Sequence, residues 1–167
     1  MSSTDDVIAN NERYAAGFTK AGMPPVPAKG LAVLACMDAR LDVHKILGLE
    51  EGDAHVIRNA GGVVTDDEIR SLAISQHLLG TEEIVLVHHT DCGMLKFTDD
   101  EFAGKLEEAT GEWPPWSPHS IADLDESVRA SIRRITDSPF IPETDSVRGF
   151  VYDVETGRLR EVLTSRA

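Results

Sequence analysis

Leu31-Ala-Val-Leu-Ala-Cys36-Met-Asp38-Ala-Arg40 and Ile84-Val-Leu-Val-His88-His89-Thr-Asp-Cys92-Gly93 are the two stretches that decide the fold. Each is a short, unbroken apolar run that ends in a polar motif. A run of this length bounded by polar residues reads as a strand buried on both faces, as in a parallel sheet covered by helices. Ala54-His-Val-Ile57 reads as another strand, leading into Arg58-Asn-Ala-Gly-Gly62. Thr65-Asp-Asp-Glu68 is then a capping box. It opens a helix with Ile69, Leu72, Ala73, Gln76 and Leu79 on one stripe, and Gly80 stops it. Strands separated by helices imply parallel pairing through right-handed crossovers. The expected class is therefore α/β: a single domain over residues 1–167, with a mainly parallel open sheet flanked by helices.

Outward from this centre the reading continues in both directions. Asp5 to about Phe18 places Val7, Ile8, Tyr14 and Phe18 at helical spacing, with Thr4 as the N-cap, and Met23-Pro-Pro-Val-Pro27 breaks that segment from the rest. Residues 1–20 thus form an N-terminal helical arm. Thr98-Asp-Asp-Glu101 is a second capping box, heading a helix to about Ala109. Gly111 to His119, with two Trp and three Pro, is loop. Leu124, Val128, Ile132 and Ile135 mark an amphipathic helix, and Val147 to Val154 with Arg158 to Leu163 read as an edge hairpin at the C-terminus.

Composition narrows the classes. The hydrophobic fraction of 41% suffices for a real core, and no stretch is long enough to cross a membrane. Sixteen basic against twenty-nine acidic residues give a net charge of -13, which repels phosphate backbones and argues against a nucleic-acid partner. Met1-Ser-Ser-Thr-Asp-Asp6 lacks the basic and apolar pattern of a secretory signal, so a cytoplasmic location is expected. A compartment that keeps thiols reduced makes a disulfide between the two cysteines improbable, and metal binding or thiol chemistry the better explanation.

The two cysteines each close one of the opening motifs, at the sheet edge where open α/β folds bind ligands. Cys36, His89 and Cys92 make a soft three-donor set suited to zinc, and three protein ligands leave a position for solvent, as in catalytic sites. Zinc would lower the pKa of water there toward neutrality and supply a zinc-bound hydroxide. Asp38 and Arg40, on the turn after Cys36, offer a carboxylate to orient that nucleophile and a guanidinium to hold the carboxylate. Without Arg40, Asp38 could swing onto the metal and close the site. His88 faces the other way by strand alternation. Gly93 either lets backbone approach an anion or simply makes a turn, and Arg58 either holds an anion or forms an interface ion pair. His44, His55, His77 and His119 have no clustered partners.

At these residues the chain resembles the β-class carbonic anhydrases, and within them a compact subgroup. The likeness rests on Cys36-x-Asp38-x-Arg40, Arg58-Asn59-Ala60-Gly61 and His89-Thr-Asp-Cys92-Gly93, in that order and at approximately the family's spacing. The resemblance implies reversible hydration of carbon dioxide to bicarbonate and a proton. It implies one Zn2+ per chain on Cys36, His89 and Cys92, an Asp38–Arg40 dyad, and a Gly93 N–H offered to substrate. It also implies a homodimer or homotetramer, with the N-terminal helix reaching across. Plant-type members carry Gln before the first strand, where this chain has Val26-Pro27-Ala28-Lys29-Gly30. Members with a second, inhibitory bicarbonate site have Trp where Val33 stands, so no such site is expected. Two other functions fit the same residues: hydrolysis of carbonyl sulfide or carbon disulfide, and a zinc- or redox-sensing dithiol without catalysis.

Overall fold

The computed structural model describes residues 2–164. Five strands form one sheet: β1 (Leu31–Cys36), β2 (Ala54–Asn59), β3 (Glu83–His89), β4 (Ser146–Tyr152) and β5 (Leu159–Val162). Their order is β2-β1-β3-β4-β5. All neighbours are parallel except β4 and β5, which pair antiparallel at one edge. The expected C-terminal hairpin is therefore present, but of its two strands β5 alone lies at a sheet edge; β4 is inside the sheet.

Among the described residues five α-helices accompany the sheet: α1 (Ser3–Ala16), α2 (Val43–Leu47), α3 (Asp66–Leu79), α4 (Asp99–Thr110) and α5 (Leu124–Thr136). The pleat sends alternate side chains to opposite faces. Ala32, Leu34, Ile84 and Leu86 face Leu72 of α3 and Val128, Ile132 and Ile135 of α5. Val33, Ala35 and Val87 face the other way, against Leu41, Val43 and Leu49 around α2. Burying each such Leu or Ile side chain contributes about 1.5–3 kcal/mol, so this two-faced burial holds β1 and β3 at the centre.

The helix boundaries follow local chemistry. In α3 the Thr65 side chain caps the first turn while Glu68 Oε2 accepts from the Thr65 N–H at 2.9 Å, and Gly80 ends the helix at φ +67°. In α1 the cap is Ser2 rather than Thr4, because Ser2 and Asp5 satisfy each other's backbone N–H in a capping box. Helix α2 was not anticipated. It is five residues long, below the reach of a periodicity argument, though Asp42 as its cap and Gly48 at φ +64° are both legible in hindsight. Strands β2 and β3 run to Asn59 and His89, further than their apolar runs, because the ladder continues through the polar motif residues.

Strand β1 has β2 on one side and β3 on the other. The chain therefore reverses its direction of travel across the sheet at β1, and the crevice at the carboxyl ends of β1 and β3 is the switch point where open α/β sheets bind ligands. Cys36 ends β1 and His89 ends β3.

Candidate metal centre

The segment that shapes this crevice is the turn Ala60–Gly62, which crosses beneath the ends of β1 and β3. Gly62 sits at φ +69°, and a Cβ there would lie 2.8 Å from the Cys36 backbone nitrogen and 3.0 Å from the Val87 carbonyl oxygen. Only glycine allows so close an approach of three backbones. Arg58, at the end of β2, donates to the Cys36 carbonyl at 3.0 and 2.8 Å and to the Asp38 carbonyl at 2.7 Å. Neither of the two roles expected of Arg58 describes this arrangement within the chain: its guanidinium staples the turn that carries Cys36 and Asp38.

The three expected donors come together. Cys36 Sγ and Cys92 Sγ lie 3.9 Å apart, and these two with a His89 ring nitrogen all fall within 4.8 Å of one another. All three residues are buried. His89 Nδ1 donates to the Thr90 carbonyl at 2.9 Å, which leaves Nε2 as a bare lone pair. That Nε2 is buried and has no hydrogen-bond partner. An orphaned buried acceptor is costly, and a cation among two thiols and an imidazole would satisfy it. The donor set thus fits zinc, and the Thr90 carbonyl is the outer contact that orients a ligating histidine. His88 does face the opposite side, with Nε2 3.0 Å from the Ser127 hydroxyl, and burial pushes its pKa down to about 4.

Electrostatics support the same reading. A hydrogen bond from the Cys92 thiol, with help from His89, lowers the Cys36 thiol well below its ordinary value, while the same contact and burial raise Cys92. These shifts favour a thiolate at Cys36 beside a thiol at Cys92, a pair that a dication would convert to two thiolates. Burial works against charge on His89, but the Cys36 sulfur outweighs it and raises that pKa.

Asp38 and Arg40 form the expected pair. Arg40 Nε and one terminal nitrogen donate to Asp38 Oδ1 and Oδ2 at 3.0 and 2.8 Å, and the Arg40 backbone N–H adds a third bond at 2.9 Å. The guanidinium holds the Asp38 carboxyl well below the usual carboxylate range. Asp38 Oδ2 lies 3.7 Å from His89 Nε2, at the mouth of the cluster yet committed to Arg40. Beside Cys92, a Cβ on Gly93 would meet open space. The residue missed by sequence reasoning is Asp91, which also contacts Arg40 and sits at φ +52°.

Comparison with known proteins agrees with this geometry. A family model described as carbonic anhydrase matches residues 31–120. The chain is 61% identical to β-carbonic anhydrase 1 of Mycobacterium bovis, covering 97% of this chain and 99% of that protein. A carbon disulfide hydrolase of Acidianus is 37% identical, over 94% of this chain and 87% of that protein. The crystal structure of a carbonic anhydrase from Streptococcus mutans superposes with a TM-score of 0.92 at 46% identity, covering 98% of this chain and 99% of that one. Two buried thiols, an imidazole with a free lone pair and a fold shared along the whole chain lead to one conclusion: the chain belongs to the β-carbonic anhydrase family, whose members are zinc enzymes.

Proposed function

We propose that the chain catalyses the reversible hydration of carbon dioxide to bicarbonate and a proton, with Cys36, His89 and Cys92 holding zinc and Asp38, Arg40 and Gly93 completing the site. The observation that carries this is the unpartnered, buried Nε2 of His89 beside two sulfurs 3.9 Å apart, with Asp38 turned to Arg40 rather than filling the fourth place. A zinc ion bound there supplies the Lewis acidity that makes water a ready nucleophile near neutral pH.

The chain's own residues do the rest. Asp38 stays ionised because Arg40 pairs with both its oxygens, so Oδ2 can accept a hydrogen bond from the attacking solvent molecule and fix its direction. Arg40 keeps that carboxylate from becoming a fourth ligand. The N–H of Gly93 is assigned to the substrate oxygen that gains charge, a reading supported by the open space where a Gly93 Cβ would lie. Apolar side chains around the cluster, including Met94 and Leu95, suit a small nonpolar substrate.

Hydrolysis of carbon disulfide or carbonyl sulfide is not favoured: the relative named for carbon disulfide shares 37% of its sequence, against 61% for the carbonic anhydrase. A dithiol sensor has no use for the Asp38–Arg40 pair. We assign the N-terminal segment with helix α1 (Ser3–Ala16) and its continuation to residue 20 to an arm that covers a second copy in a homodimer or homotetramer; Met1, part of the expected arm, lies outside the described residues. Helix α1 has no buried residue, and Val7, Ile8, Tyr14 and Phe18 are all exposed. A cytoplasmic location suits the reduced thiols; no helix among the described residues is long and apolar enough to cross a membrane.

The test is stopped-flow carbon dioxide hydration with zinc measured on the same sample. Activity with about one zinc per chain supports the reading. A zinc-loaded protein inert toward carbon dioxide but active on carbon disulfide would transfer it to the sulfur substrates.

A further inference from the structure

Arg40 is held from two sides. On one, Nε and a terminal nitrogen donate to Asp38 at 3.0 and 2.8 Å. On the other, its terminal nitrogens donate to Asp91 Oδ2 and to the Asp91 carbonyl oxygen, each at 3.1 Å. Asp91 Oδ1 also accepts from Lys96 Nζ at 2.9 Å, which fixes the carboxylate from its far side. The Asp91 backbone sits in the left-handed region at φ +52°, a conformation Asp and Asn tolerate better than most residues.

The arrangement has a mechanical consequence. Asp38 and Arg40 are two residues apart on one turn, so a pair closed only between them moves as that turn moves. Asp38 Oδ2 is already 3.7 Å from His89 Nε2, and a small rotation of the pair would bring it onto the donor cluster. Asp91 lies on a different loop, the one after β3 that carries Cys92. A guanidinium gripped from that loop cannot follow the first turn freely.

We infer that Asp91 is a positioning residue for the reaction: through Arg40 it ties the Asp38 turn to the Cys92 loop and keeps the Asp38 carboxylate off the metal ligands. This rests on the proposed role of Asp38 and Arg40. The Asp91 side chain is not among the proposed metal donors and is engaged by Arg40 and Lys96, so it acts on Asp38 through Arg40.

Asp91→Asn is the informative change, since Asn keeps the shape and accepts the same φ while losing the charge. Arg40 and Asp91 side chains are 45% and 57% exposed, so the anchor is worth a modest factor. We expect kcat to fall roughly two- to five-fold, with KM, zinc content and Tm unchanged. In an Arg40→Ala background the same substitution should cause no further loss, because nothing remains to be anchored. On metal-free protein, the Arg40 Nε–H resonance followed by NMR should exchange with water faster in Asp91→Asn than in the parent.

Wild-type kcat with unchanged Nε–H exchange in Asp91→Asn would overturn the inference, and so would an additive loss in the Arg40→Ala background. Arg40→Ala with full activity would instead remove the dyad itself, and this role with it. The two failures are distinguishable because the exchange measurement reports on the anchor without reference to turnover.

Discussion

Gly62→Ala should damage stability and metal binding together. An L-residue at φ +69° costs about 1–2 kcal/mol from the clash of its Cβ with the backbone. The added methyl would also sit 2.8 Å from the Cys36 nitrogen and 3.0 Å from the Val87 oxygen. Both belong to the paired central strands β1 and β3, so neither can give way cheaply, and overpacking of this kind costs about 1–3 kcal/mol. Together these give about 2–5 kcal/mol, or a Tm lowered by roughly 5–15 °C in a domain of this size. Because the displaced atom is the backbone of Cys36, zinc affinity should fall as well. The control is Gly104→Ala within α4, where a Cβ meets nothing within 4 Å and φ is ordinary. That change should raise stability by about 0.5–1 kcal/mol. Thermal unfolding of both variants with and without chelator, and zinc content after dialysis, read these effects. A Gly62→Ala protein that melts within a degree of wild type with its full zinc would refute the proposed crowding under the site.

Three further outcomes follow from the same geometry. Cys92→Ser should lose zinc on dialysis, because a hydroxyl does not replace a thiolate in a buried soft-donor set; full retention would remove Cys92 from the ligands. Asp38→Ala should keep zinc and fold yet lose activity by about 10–100-fold, and unchanged turnover would end its assigned role. Asp99 is held down to about 2, first by the Ser117 hydroxyl at 2.5 Å and then by Ser120, tying the tryptophan loop to α4. A depressed carboxylate stabilises fully above its unfolded pKa near 4 and loses that contribution as pH falls toward 2. Being partly exposed it should be worth under about 1 kcal/mol, so the advantage of wild type over Asp99→Asn in urea unfolding should shrink from pH 6 to pH 2; a constant gap would contradict this.

The strands, the helix caps and the ligand candidates were legible because each leaves a short-range signal. Continuous apolar runs report burial on both faces, and Thr65 and Glu68 satisfy each other across one turn. The meeting of Cys36 with His89 and Cys92 was also legible, since strand ends of a parallel sheet share one edge. What the chain order hid are interactions set by long-range packing. Arg58 looked like an anion holder or an interface residue, and its use as a staple on the Cys36 and Asp38 carbonyls depends on the β1–β2 register. Asp91 lies between Thr90 and Cys92 with no signal of its own, and the left-handed turn there brings it to Arg40. Gly62 carried no signal beyond its type, because the backbones it admits come from two other strands.

X-ray absorption at the zinc edge tests the central claim most directly. For zinc-loaded protein at neutral pH the account predicts two sulfur and two lighter scatterers, one of them an imidazole, with one sulfur missing in Cys92→Ser. A wild-type spectrum with no sulfur at the metal, or one unchanged by Cys92→Ser, would contradict it.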